Sequence, residues 1–205
     1  MFDRSGLDRD CVVIGIDPGL TRCGYGVLGA DGARLEALDY GIVSTDPADP
    51  VELRLNTVFD ALGALIERVR PSAVAVERVL FNLNVATAMH TGQAAGIVLL
   101  CCARAGVPVV YYTPTQVKAA TAGFGAADKA QMRSAIARLL SLDSEPTADA
   151  ADALALAFCH VGAAPLQDRM HAATGDADAR RVKSRLDDAI AATLARDDAA
   201  REGSR

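Results

Sequence analysis

The hydrophobic positions along this chain switch between two periods. Cys11-Val-Val-Ile-Gly-Ile16 is a near-continuous apolar run, the pattern of a strand buried on both faces. It ends on Asp17, and Pro18-Gly19 then turns the chain. Residues 23–28 and 35–44 read as two further strands, with Asp31-Gly32 between them as a hairpin signal. The period then becomes helical. Leu55, Val58, Phe59, Leu62, Leu65, Ile66 and Val69 follow Asp49-Pro50-Val51-Glu52, where Asp49 is expected to cap, Pro50 to take the first helical position and Glu52 to complete a capping box. Arg70-Pro71 closes that helix.

A short strand, 73–76, ends on Glu77, and Asn82 or Asn84 can cap a helix that runs to about Arg104 and stops at Gly106. Its stretch 94–103 is apolar all round and needs cover on more than one side, which a second copy of the chain would supply. A fifth strand is expected over 109–113. Two capping boxes, Thr113-Pro-Thr-Gln116 and Asp128-Lys-Ala-Gln131, then open short helices. The final strong pattern, from Ala148 to about His160, is apolar nearly all round except for Asp149 and Asp152. The expectation is an α/β fold: a five-stranded mixed sheet, three antiparallel strands first, flanked by helices.

Composition narrows the class. The chain has 205 residues, 51% of them hydrophobic, enough for one domain with a full core. That domain is expected over 1–161, with 162–205 as a C-terminal extension, flexible or partly helical. In the extension Val182, Leu186, Ile190 and Leu194 recur every fourth residue. No apolar run approaches the roughly 20 residues that span a bilayer, and the polar start lacks the order of a signal peptide. Of five cysteines without CxxC spacing, most lie in apolar surroundings and read as buried thiols. Together these predict a cytoplasmic protein with no membrane partner. The net charge of −5 argues mildly against nucleic acid, but a local basic stripe is compatible with it. Only three lysines occur, and Lys118 and Lys129 both fall at short helices, where a phosphate would offset their opposition to the helix dipole.

The carboxylates carry the chemistry. Asp17 and Glu77 each end a strand expected to be buried, at the edge where open α/β sheets place ligands. Either alone reads equally well as a turn or strand-end residue. Asp149 and Asp152 project from one side of a buried helix. Two ions there lose hydration at several kcal/mol each, and the helix N-terminus returns only about 0.3–1 kcal/mol. A cation is the natural neutraliser. An all-oxygen donor set favours Mg²⁺ or Mn²⁺ over Zn²⁺, and four such carboxylates suit a two-metal phosphoryl-transfer site. His160 reads as structural. A metal-dependent nuclease of ribonuclease H-like fold fits this order of elements.

At this point the chain resembles the RuvC family of bacterial Holliday-junction endonucleases. The likeness runs from Val12 to about His160, through Gly15-Ile-Asp-Pro-Gly-Leu-Thr-Arg-Cys-Gly-Tyr-Gly26, Ala75-Val-Glu-Arg-Val79, Gly92-Gln-Ala-Ala-Gly96, Gln116-Val-Lys118, Ala127-Asp-Lys129 and Asp149-Ala-Ala-Asp-Ala-Leu154. The resemblance implies that Asp17, Glu77, Asp149 and Asp152 are catalytic, Mg²⁺-binding acids, with two ions per site and Mn²⁺ able to substitute. It implies paired symmetric nicks in a four-way DNA junction, leaving 5′-phosphate and 3′-hydroxyl ends in recombination and repair. It further implies a homodimer, DNA contacts by Lys118, Lys129 and Arg78, and RuvA and RuvB as partners.

The family commonly carries a Phe three residues after its strand-end Glu, as a wedge against junction bases. Here Leu80 holds that place and Phe81 follows, so either is a candidate wedge or a staple for the next helix. The alternatives are a YqgF-type ribonuclease H-like RNA-processing nuclease and a junction-binding protein that does not cut. A kinase-like or actin-like ATPase also opens on an Asp-Gly turn but needs a second such lobe.

Overall fold

In a computed structural model of the chain, residues 11–31, 34–78, 85–123 and 127–174 are described, the side chains of 85–87 and 164–174 excepted. Five strands, β1 (Cys11–Asp17), β2 (Arg22–Asp31), β3 (Arg34–Ser44), β4 (Ala73–Glu77) and β5 (Val109–Tyr112), form one sheet in the order β3-β2-β1-β4-β5. The first three are antiparallel, and β4 and β5 run parallel to β1. The mixed sheet expected from the hydrophobic blocks is present, with β1 at its centre.

The apolar run of β1 is continuous because both faces are covered. Ile14 and Ile16 pack with Val58, Leu62 and Ile66 of α1 (Val51–Val69) and Val98 and Cys102 of α2 (Val85–Ala105). Val13, one residue out of phase, packs with Leu154 of α5 (Ala148–Thr174) and Ile136 of α4 (Lys129–Leu139) on the opposite side. The period of two along a strand therefore places Val13, Gly15 and Asp17 on the face of α5. The same parity puts Ala75 and Glu77 of β4 on that face, and Arg22, Gly24, Gly26 and Leu28 of β2 as well.

α5 lies unusually close to the sheet. A Cβ on Gly15 would overlap the carbonyl oxygen of Ala153, and one on Gly24 would overlap that of Asp149. Glycine is required at both positions by approach of backbone to backbone. The helix contributes small residues to match: Ala150, Ala151, Ala153, Ala155 and Ala157 are all buried.

Both later capping boxes form. Thr113 accepts from the Gln116 backbone at the start of α3 (Pro114–Ala122), and Asp128 from that of Gln131 at the start of α4. The first expected box does not. Pro50 itself is the N-cap of α1, with no side-chain cap bond. Asp46 starts a local turn instead, taking the amide of Ala48 on its side chain and that of Asp49 on its carbonyl. Arg54, not Leu55, takes the interior position on the first turns of α1, at 4% exposure. The last helix also runs past His160 to Thr174. Gly162 marks no end there, since glycine within a helix costs only about 1 kcal/mol. The candidate caps Asn82 and Asn84, the candidate wedges Leu80 and Phe81, and the apolar repeat 182–194 lie outside the described residues.

The chain divides into two compact units, 1–163 and 164–205. The first holds the sheet. Of the second, the helical backbone over 164–174 is described. Among the described residues no helix is long and apolar enough to cross a membrane.

Candidate active site

Each candidate carboxylate is delivered by a separate element. Asp17 is the last residue of the central strand. Ile16 pairs with Val76 in parallel register, so Glu77, the next residue of β4, ends beside Asp17. On the other side Asp17 pairs with Gly24, whose bare Cα lies against the backbone of Asp149. Asp152 follows within a turn of α5. Three sheet and helix contacts thus bring together residues separated by more than a hundred positions in sequence.

The electrostatics record that proximity. Burial, then the negative charges of Asp152, Glu77 and Asp149, push the Asp17 carboxyl up from 3.8 to about 7, against an opposing pull from Lys129. Burial and then Asp152 raise Glu77, with Lys129 and Lys118 opposing. Asp152 is raised chiefly by burial and further by Asp149, again against both lysines. Asp17, Glu77 and Asp152, crowded in a low-dielectric site, resist ionising together, and Lys118 on α3 and Lys129 at the start of α4 supply the nearby positive field. Arg78, directly after Glu77, is exposed. It borders a cleft of about 310 Å³ with Val76, Glu77, Ala95, Leu99 and Tyr111.

Two basic residues on which the sequence reading placed no role also belong here. Arg22, at the start of β2, donates from Nε to Asp149 Oδ2 at 2.7 Å. Arg54 is buried beneath the turn that carries Arg22. Its Nη2 donates to Thr21 Oγ1 at 2.7 Å and its Nε to Thr45 Oγ1 at 3.0 Å, while Thr45 Oγ1 donates to the Leu20 carbonyl at 2.6 Å. The Thr45 amide bonds the Thr21 carbonyl. The loop from Asp17 to Arg22 is therefore clamped from below. Only the alternation of Gly24 and Gly26 hinted that this face of β2 meets a helix; nothing local pairs position 22 with 149.

As arranged, no three His, Cys, Asp or Glu side chains among the described residues stand in a geometry that holds a metal ion. The donor set itself suits a hard divalent cation, being four carboxylates and no sulfur or imidazole. One of the four is already engaged by Arg22. His160 lies apart, buried on α5 and bonded through Nδ1 to Tyr112 Oη at 2.8 Å, in keeping with a structural part.

The sequence matches the family model described as crossover junction endodeoxyribonuclease RuvC over residues 13–160. The chain belongs to the RuvC family. It is 53% identical over 163 residues to the crossover junction endodeoxyribonuclease RuvC of Salinispora arenicola, covering 78% of this chain and 93% of that one. It is 46% identical over 175 residues to the RuvC of Mycobacterium tuberculosis, with 84% and 93% coverage. Among solved structures it is similar to Thermus thermophilus RuvC in complex with a Holliday junction substrate, at 38% identity and a TM-score of 0.73 over 77% of this chain and 96% of that one. The matched span ends at His160, within the unit that carries the four carboxylates.

Proposed function

We propose that this RuvC-family chain resolves four-way DNA junctions by hydrolysing one phosphodiester in each of two opposed strands, with Asp17, Glu77, Asp149 and Asp152 as its metal-binding catalytic carboxylates. The observation that carries this reading is the meeting of these four acids at the carboxyl ends of β1 and β4 and the first turns of α5. The Thermus relative seen with a Holliday junction substrate supports the choice of substrate.

Two Mg²⁺ ions, or Mn²⁺ in their place, would activate water at the scissile phosphate and offset charge on both the attacking and leaving oxygens. Asp17, on the central strand, would serve both ions. Glu77 would hold one from the β4 side, and Asp149 and Asp152 the other from α5. A new bond from the water oxygen to phosphorus and cleavage of the bond to O3′ leave a 5′-phosphate and a 3′-hydroxyl. Lys118, Lys129 and Arg78 would bind backbone phosphates, which fixes the strand without reading its sequence.

Symmetric nicks need two sites related by a two-fold axis, which a homodimer supplies. Met89, Leu99 and Leu100 are exposed on α2, and this apolar surface supports the dimer. RuvA and RuvB are the proposed partners in branch migration. Leu80 or Phe81 would serve as the base wedge; if the Ala variant of each cuts junctions as the parent does, neither is one.

The test is to incubate the protein in Mg²⁺ with end-labelled four-way junction, linear duplex and RNA hairpin. Paired nicks in the junction alone are expected, and Asp17→Asn should bind the junction without cutting it. Cutting by Asp17→Asn, or cutting of RNA in preference to the junction, refutes the assignment.

A further inference from the structure

Arg22 is the one cation in hydrogen-bond contact with any of the four carboxylates among the described residues. Its parity on β2 aims it at the α5 face, and Gly24, two residues on, presses that strand against the Asp149 backbone. The turn beneath it is held by the buried Arg54 through Thr21 and Thr45. The side chain is thus delivered to Asp149 by a rigid base. Yet the contact uses Nε alone, and the side chain is 52% exposed. The two terminal nitrogens form the fork that suits a phosphate.

A guanidinium on a would-be metal ligand competes with the metal. It occupies one Asp149 oxygen and sets a positive charge where a divalent cation must come. DNA changes this balance, because it offers phosphates to the same fork. We infer that Arg22 is a positioning residue that restrains Asp149 in the DNA-free protein and releases it to the metal when its guanidinium moves to a phosphate of the bound strand.

This rests on the junction-nuclease reading and adds a coupling to it: metal and DNA each favour binding of the other through Arg22, reciprocally. The site would then load fully only with substrate in place.

The sign of one measurement separates this from a structural role. Mn²⁺ binding to the full chain is titrated by calorimetry, without DNA and with a four-way junction at low temperature, for the parent and Arg22→Gln. Without DNA, Arg22→Gln is expected to bind Mn²⁺ roughly twofold to fivefold more tightly, since a partly exposed ion pair has been removed. The gain in Mn²⁺ affinity that junction DNA confers should shrink by a similar factor. Arg22→Lys, which keeps the charge, should stay near the parent without DNA. Unchanged or weaker Mn²⁺ binding by Arg22→Gln, or an undiminished gain with DNA, overturns the inference while leaving the nuclease reading intact. Parent protein that takes up no Mn²⁺, with or without junction, removes the site and Arg22's part in it together.

Discussion

Replacing Asp17 by Asn should make the metal-free protein more stable at alkaline pH, although it removes the residue at the centre of the site. Burial and three neighbouring acids hold the Asp17 carboxyl at about 7, against 3.8 in a solvated chain. Between those values the folded protein binds a proton that the unfolded chain has given up. Stability is therefore full below pH 4 and falls as pH rises through 7, by about 1.4 kcal/mol for each unit separating the two values. The withdrawal amounts to on the order of 4 kcal/mol by pH 8. Asparagine carries no charge and escapes it. At about 2–4 °C per kcal/mol for a chain of this size, Asp17→Asn should melt roughly 8–16 °C above the parent at pH 8 in chelator. The two should converge near pH 4. Millimolar Mn²⁺ should raise the melting temperature of the parent and leave the variant nearly unmoved. Scanning calorimetry of both proteins, at the two pH values, with chelator and with Mn²⁺, makes the comparison. Equal melting temperatures at pH 8 in chelator, or a gap as large at pH 4, would refute the claim that Asp17 sits buried among like charges.

Three further outcomes follow from particular contacts. Gly24→Ala places a methyl against the Asp149 carbonyl, so α5 must move off β2; a loss of about 1–3 kcal/mol by denaturant unfolding should accompany a disproportionate loss of junction cutting. Lys129 opposes the raised values of Asp17, Glu77 and Asp152; Lys129→Ala should move the acid limb of the pH–rate profile to higher pH and reduce the salt slope of junction binding by about 0.9. Thr113→Ala removes one half of a formed capping box and should cost about 1 kcal/mol, read as a lower urea midpoint at unchanged slope.

The parts of this architecture that rest on periodicity were legible in the sequence. The two-faced apolar run of β1, the helical spacing of α1 and the boxes at Thr113 and Asp128 each follow from nearest neighbours along the chain, and they appear where their residues predict. The carboxylates were legible because strand-end acids and an acidic pair on an apolar helix conflict with their surroundings. What escaped was set by contacts distant in sequence. Arg22 meets Asp149 only because β2 packs on α5, and Arg54 is buried only because Thr21 and Thr45 come together over it. A cationic side chain on a helix otherwise reads as solvated. The cap of α1 was misplaced for a local reason: Asp46, three residues earlier than Asp49, captured the turn. The helical continuation to Thr174 escaped because the strong apolar pattern ends near His160, and a helix interior can absorb Gly162.

The most direct measurement is anomalous diffraction from crystals of this protein grown with Mn²⁺ and junction DNA. The account predicts manganese peaks in coordination contact with Asp17, one shared toward Glu77 and one toward Asp149 and Asp152, with Arg22 turned away from Asp149. Manganese bound elsewhere, with no ion on these four carboxylates and Arg22 still on Asp149, would contradict it.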